Sequence, residues 1–174
     1  YRIVGGLKFY ERKEVKDIMA YLRLLYSFDD FVSFERIINE PKRGIGDTTI
    51  QKLRVYAYEK RLSLVDACTQ IEEMKGLQSA RVKSLQAFGL LMKKAHEQLE
   101  QVELGEIIDL LVRGSGYKDY IKDGTEEGET RWENIQELQS VASKFNGMKA
   151  GEGLRELLEE VALITDLDTV DDRA

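Results

Sequence analysis

The chain has 174 residues, with 26 Lys and Arg against 32 Asp and Glu, a net charge of −6, and 43% hydrophobic residues. That balance describes a folded domain and excludes a disordered chain, which would be poorer in core formers. A single Cys excludes a disulfide framework, a single His disfavours His-based metal or triad chemistry, and no apolar run reaches the ~20 residues of a membrane helix.

In chain order, Tyr1-Arg2-Ile3-Val4-Gly5-Gly6 reads as a strand end entering from upstream. Residues 11–26 place Val15, Ile18, Met19, Leu22 and Leu25 at helical spacing, with Lys13, Lys16, Asp17 and Arg23 facing out. A second helix over 31–39 carries Phe31, Phe34, Ile37 and Ile38 and stops before Pro41. A third begins near Asp47 or Thr48, where Thr48-x-x-Gln51 has capping-box spacing, and Ser63-x-x-Asp66 opens a fourth. Ser79 is placed to cap a long helix over 80–101. Further helices are expected over 104–112, 117–122, 131–145 and 154–163, with 123–129 as an acidic loop and 146–153 as a glycine-containing break. The expectation is an all-α, compact multi-helix domain of about eight helices with a short strand remnant at the N-terminus. The acidic stretch 164–172 carries no stop signal. The open ends read as a piece excised from a larger protein.

The charge is segregated. Residues 1–94 hold 18 Lys and Arg against 12 Asp and Glu, whereas 95–174 hold 8 against 20. A basic face beside an acidic one is the functional reading, and a solvated surface with chance segregation the bland one.

The stretch Pro41-Lys42-Arg43-Gly44-Ile45-Gly46-Asp47-Thr48-Thr49 carries a mechanism. Gly44 and Gly46 allow a tight turn that a bulky partner can approach, and the following helix start favours an anion. Lys42 and Arg43 add charge, Thr48 and Thr49 add donors, and Ile45 tucks inward. This is the layout of a helix–hairpin–helix phosphate clamp, which grips duplex backbone without reading bases. On Gly-x-Gly alone an ordinary helix–helix turn is the better reading; the flanking cations and threonines move the clamp ahead. Lys52, Ser79, Arg81 and Lys83 are candidates for further DNA contacts. Gly114-Ser115-Gly116 reads as a helix terminator, His96 as a surface residue, and Cys68 and Trp132 as packed. Tyr56 and Tyr58, beside Lys60 and Arg61, read as core or rim packing ahead of base stacking. No catalytic residue and no metal site stands out.

These residues carry a resemblance. Tyr1 to Asp17 and Ala20-Tyr21-Leu22-Arg23-Leu24, then Ser33-Phe34-Glu35-Arg36-Ile37-Ile38-Asn39 with Pro41 to Gly46, then Ser115-Gly116-Tyr117 and Arg131-Trp132-Glu133-Asn134-Ile135-Gln136-Glu137-Leu138, are four ordered blocks. They resemble the 2B subdomain of UvrD/PcrA/Rep-type superfamily 1 DNA helicases, nearest its PcrA branch, from residue 1 to about 168. Ser27-Phe28 stand where that family often has Asn-Pro before the paired acids, a loop change that leaves the clamp untouched.

The resemblance implies an accessory, regulatory subdomain of an ATP-dependent 3′→5′ helicase of the bacterial cytoplasm, associated with the nucleoid. It implies ATP and Mg2+ as cofactors of the parent and none for this fragment, which lacks the ATP-binding loop and should be inactive alone. Implied partners are duplex DNA at a single-strand/double-strand junction, motor domains of the same parent chain, and repair or transcription proteins; no membrane is implied. On this reading residues 1–6 are a strand end and hinge, 7–164 the helical subdomain, and 165–174 the acidic return hinge. Gly5, Gly6, Thr165 and Asp166 are the hinge residues. Two other classes stay open: a protein-interaction or autoinhibitory module docking through the acidic half, and a free-standing helix–hairpin–helix enzyme such as a glycosylase, for which no catalytic spacing is visible.

Overall fold

The computed structural model describes residues 6–73 and 76–173, which form ten α-helices and no strand. The helices are α1 (Leu7–Tyr10), α2 (Lys13–Tyr26), α3 (Phe31–Ile37), α4 (Asp47–Lys60), α5 (Leu64–Thr69), α6 (Ser79–Glu97), α7 (Leu104–Gly114), α8 (Tyr117–Ile121), α9 (Glu126–Ala142) and α10 (Ala150–Arg173). Short 3-10 turns follow α5, α6 and α9. The expected strand remnant and Gly5 lie outside the described residues.

Helix α2 is the axis of the fold. Val15, Ile18, Met19, Tyr21, Leu22, Leu24 and Leu25 are all buried, because α2 meets α3, α6, α7, α9 and α10 around its circumference. The sequence suggested one apolar stripe with Asp17 facing water. Asp17 is instead buried, and its carboxylate accepts from Arg36 Nε (2.9 Å), Lys13 Nζ (3.1 Å) and the Tyr117 hydroxyl (2.7 Å). A buried carboxylate needs such partners to offset its lost hydration. Through them α2 is tied to α3 and α8.

Other boundaries move for local reasons. Helix α9 begins at Glu126, inside the expected acidic loop. The Thr125 hydroxyl accepts from the Gly128 N–H at 3.0 Å, and Glu126, Glu127 and Glu129 sit where the positive end of the helix favours them. Gly151 and Gly153, expected in a break, start α10 and allow it to approach Leu99 and Leu104. Helix α6 starts at Ser79 with Gln78 as its cap residue and no side-chain cap, so Ser79 does not cap it. The cap residue of α4 is Gly46, so the Thr48–Gln51 capping box does not form. Ser63 does cap α5, accepting from the Asp66 N–H at 3.0 Å.

Helices α3 to α6 build one side of the molecule and α7 to α10 the other, with α2 between them. On the first side α5 packs closely on α6 at Gly89, where a Cβ would lie 2.7 Å from Thr69 Cγ2 and 3.1 Å from the Val65 carbonyl oxygen. This packing fixes α6 against the α4–α5 pair, and with it the position of Arg81 beside the α3–α4 connection.

Candidate nucleic-acid interface

The connection between α3 and α4 is pinned at three points. Asn39 brackets Ile45 with its amide: the Ile45 N–H donates to Oδ1 at 2.9 Å and Nδ2 donates to the Ile45 carbonyl. The Ile45 side chain is 1% exposed and anchors the turn in the core. Gly44, at φ +72°, makes the reversal that a side chain would strain.

The third point is Arg43. Its Nη1 donates to the Ile37 and Ile38 carbonyls, both at 2.9 Å, and Nη2 donates to the Tyr21 hydroxyl at 2.8 Å. The guanidinium also lies 5.0 Å from the centroid of the Phe88 ring. Tyr21 in turn donates to the Glu40 carbonyl at 2.8 Å, and burial raises its pKa against the opposing pull of Arg43. Sequence reasoning offered Arg43 to a phosphate; its guanidinium is committed inward, closing the end of α3. The expected Thr49 donor is likewise turned into the protein, at 7% exposure. Asn39, Tyr21 and Phe88 were not singled out from sequence. An Asn two residues before Pro41 was a turn signal in plain view, while nothing distinguished Tyr21 and Phe88 from other core aromatics.

Outside this scaffold lies a groove of ≈ 660 Å³, lined by Asn39, Glu40, Lys42, Gly44 to Thr49 and Arg81. Gly46 is the α4 cap residue without a side-chain cap, and a Cβ there would meet nothing within 4 Å. The first-turn N–H groups therefore face the groove without a competing side chain, at the helix end that favours anions. Lys42 and Thr48 are exposed at its edge. Arg81, far away in sequence, reaches it from α6. Lys52 lines a neighbouring groove that shares Asp47 and Thr48. Ser79 and Lys83 are exposed on the first turns of α6 but do not line either groove.

None of Lys42, Lys52, Arg81 and Lys83 forms an ion pair among the described residues, whereas Lys13, Arg36 and Lys93 all do. Glu40 and Asp47 also line the groove, Glu40 paired with Lys13, so its attraction for an anion rests on the unpaired Lys42 and Arg81 and on the uncapped helix start. Such a surface suits phosphate and carries no means of reading a base.

The remaining candidates fall as follows. Gly6 is the cap residue of α1, and Thr165 and Asp166 lie inside α10, where the Thr165 hydroxyl donates to the Val161 carbonyl at 3.0 Å. Gly116, at φ +80°, separates α7 from α8, as expected of a terminator. His96 is exposed and packs against Phe28 with the rings tilted and their centroids 4.9 Å apart. Cys68 is fully buried, which pushes its thiol up to about 12. Trp132 packs beneath Lys118. Tyr56 packs at the rim and donates to the Gln70 carbonyl at 3.0 Å. Tyr58 departs from expectation, standing 87% exposed. Among the described residues no group of His, Cys, Asp and Glu converges as a metal site, and no helix is long and apolar enough to cross a membrane.

Comparison with known proteins adds an independent line. The family model for the UvrD-like helicase C-terminal domain matches residues 1–173. The chain is 36% identical over 174 residues to the ATP-dependent DNA helicase PcrA of Bacillus subtilis, covering 99% of this chain and 23% of that protein. It is 34% identical to the PcrA proteins of Staphylococcus epidermidis and Staphylococcus aureus, covering 98% of this chain and 24% of each relative. The chain thus spans about a quarter of the length of the curated relatives it matches.

Proposed function

The chain belongs to the UvrD-like helicase C-terminal domain family, and from that premise we propose that it is the 2B accessory subdomain of an ATP-dependent 3′→5′ DNA helicase, gripping duplex phosphates through the Gly44-Ile45-Gly46 hairpin. The observation that carries this reading is the groove in which Lys42, Arg81 and the uncapped start of α4 meet around Gly46. In this reading the α3–hairpin–α4 unit is a helix–hairpin–helix element. A phosphate oxygen sits against the first-turn N–H groups, Lys42 and Arg81 neutralise the flanking charge, and Thr48 donates its hydroxyl. Arg43 takes no part in the contact; it holds the hairpin that makes it.

Because the grip touches backbone only, it is indifferent to sequence and suits a module that meets whatever duplex lies ahead of a junction. One such hairpin makes few phosphate contacts, so binding is weak and strongly salt-dependent. The partners in this reading are duplex DNA at a junction and the motor domains of the same longer protein, in the bacterial cytoplasm at the nucleoid. Gly5-Gly6 and the Thr165–Asp166 region serve as its two hinges.

ATP and Mg2+ belong, in this reading, to the remainder of that longer protein. The described residues do not fit them: neither Gly-x-Gly turn is followed by the Lys and Ser or Thr that cradle nucleotide phosphates, and no carboxylates converge.

Titration of the chain on duplex DNA, wild type against Gly46→Glu, tests the proposal. A Cβ at Gly46 meets nothing within 4 Å and the φ of −77° suits any residue, so the substitution brings a carboxylate to the groove without straining the backbone. Weaker binding is expected; binding indifferent to the substitution overturns the hairpin grip.

A second reading rests on α9, where Glu126, Glu127, Glu129, Glu133 and Glu137 are all exposed. That acidic ridge suits docking on a basic protein surface. Crosslinking from α9 that survives Gly46→Glu supports it, and the two readings are compatible in one module.

A further inference from the structure

A lone exposed aromatic is ordinary on a protein surface. Tyr58 is not alone. Val55, one turn earlier on α4, is 56% exposed, Arg54 stands four residues before the ring on the same helix side, and Arg61 follows just past the helix end, where its φ of +58° turns the chain away from the helix path. The Arg54 guanidinium lies over the Phe31 ring, 3.9 Å from its centroid, so its stem is held in place without an acidic partner. Arg54, Lys60 and Arg61 form no ion pair among the described residues. An apolar ring with a bare face is thus framed by uncompensated cations, on the helix whose first turn faces the hairpin groove.

We propose that this outer face of α4 binds an unpaired nucleobase, with Tyr58 as the stacking plane and Arg54 and Arg61 contacting the phosphates on either side. The inference rests on the nucleic-acid reading above and adds a second contact of a different kind. Stacking on an aromatic ring requires a base whose face is free, which a paired duplex does not offer along its length. Thr48 and Tyr58 are ten residues apart, roughly 15 Å along a helix axis, or about four to five nucleotide steps at 3.4 Å. A strand whose duplex part meets the hairpin therefore reaches Tyr58 within a few nucleotides of the junction. Complementary charge favours this polyanionic occupant over an apolar peptide, since Arg54, Lys60 and Arg61 outnumber the adjacent Glu59.

The test uses the 174-residue chain with two probes: a blunt duplex, and the same duplex bearing a short oligo-dT tail with 2-aminopurine near the junction. Tyr58→Ala is expected to weaken tailed-duplex binding roughly ten-fold, to leave the blunt duplex unchanged, and to abolish quenching of the 2-aminopurine. Tyr58→Phe, which keeps the ring, retains both affinity and quenching. Equal affinities of Tyr58→Ala and wild type for the tailed probe overturn the proposal, as does an equal loss on both probes. If Tyr58→Ala instead breaks a chain–chain complex in sedimentation while DNA affinity is unchanged, the face serves protein contact and the proposal fails. The two readings separate cleanly: Gly46→Glu reports on the blunt duplex and Tyr58→Ala on the tail alone.

Discussion

The Arg43 guanidinium donates to the Tyr21 hydroxyl at 2.8 Å, and this pair ties the turn that precedes α4 to the central helix α2. The same guanidinium closes the end of α3 on the Ile37 and Ile38 carbonyls. Arg43→Ala leaves four acceptors, the Ile37, Ile38 and Pro41 carbonyls and the Tyr21 hydroxyl, without their charged donor and is expected to cost about 1–2 kcal/mol. Lys42→Ala, at an exposed neighbour, is expected within about 0.5 kcal/mol of wild type. Urea denaturation of both variants measures the difference, and equal stabilities would contradict the role assigned to Arg43.

The two glycines of the α3–α4 turn differ in kind. Gly44 sits at φ +72°, so Gly44→Ala forces a left-handed alanine and is expected to cost about 1 kcal/mol. Gly46 sits at φ −77° with open space, so Gly46→Ala costs only a few tenths of that as a poorer cap. For a chain of this size about 1 kcal/mol shifts Tm by roughly 2–4 °C. Thermal melts should therefore separate the pair by a few degrees, with Gly44→Ala the lower.

The turn between α3 and α4 was legible because its signals are local: two glycines, a β-branched anchor and a helix start within ten residues. The sequence misassigned Arg43 because a cation beside a loop looks the same whether it points outward or inward; only the Tyr21 hydroxyl and the carbonyls at the end of α3 decide. Asp17 was misread for a related reason. Its partners Arg36 and Tyr117 are distant in sequence, so its position on α2 suggested solvent. The acidic run at 126–129 read as loop because its charge is equally suited to water and to a helix N-terminus, and the Thr125 cap tips the balance. Arg81 was named as a candidate, but its place in the groove depends on the α5–α6 packing that no local pattern contains.

Asp17 is expected to be the most sensitive polar position. Asp17→Asn replaces the buried carboxylate by a neutral amide and weakens its three hydrogen bonds while Arg36 and Lys13 keep access to water, at a cost of about 2 kcal/mol. Tyr117→Phe removes only the hydroxyl donor and costs about 1–2 kcal/mol. In a double-mutant cycle the two effects should fall short of additive, because they share one carboxylate. Strict additivity would show that the hydroxyl contact contributes nothing.

The Lys93 ammonium beside Asp66, helped by the Ser63 hydroxyl, holds the Asp66 carboxyl below its ordinary 3.8. A depressed carboxyl pKa stabilises the fold above the unfolded value, and that contribution is lost as pH falls through the folded value. Lys93→Met should therefore lower Tm at pH 7, with the gap to wild type closing as pH falls from the ordinary 3.8 through the folded value. A gap that stays constant down to pH 2 would assign the effect to packing.

The central claim, that Lys42 and Arg81 flank a phosphate at the start of α4, is tested most directly by the salt dependence of duplex binding. The slope of log K against log salt should fall by roughly one unit for Lys42→Ala and again for Arg81→Ala, each removing one phosphate contact. Arg43→Lys should weaken binding while leaving the slope unchanged. Slopes identical to wild type in both Lys42→Ala and Arg81→Ala would contradict the account.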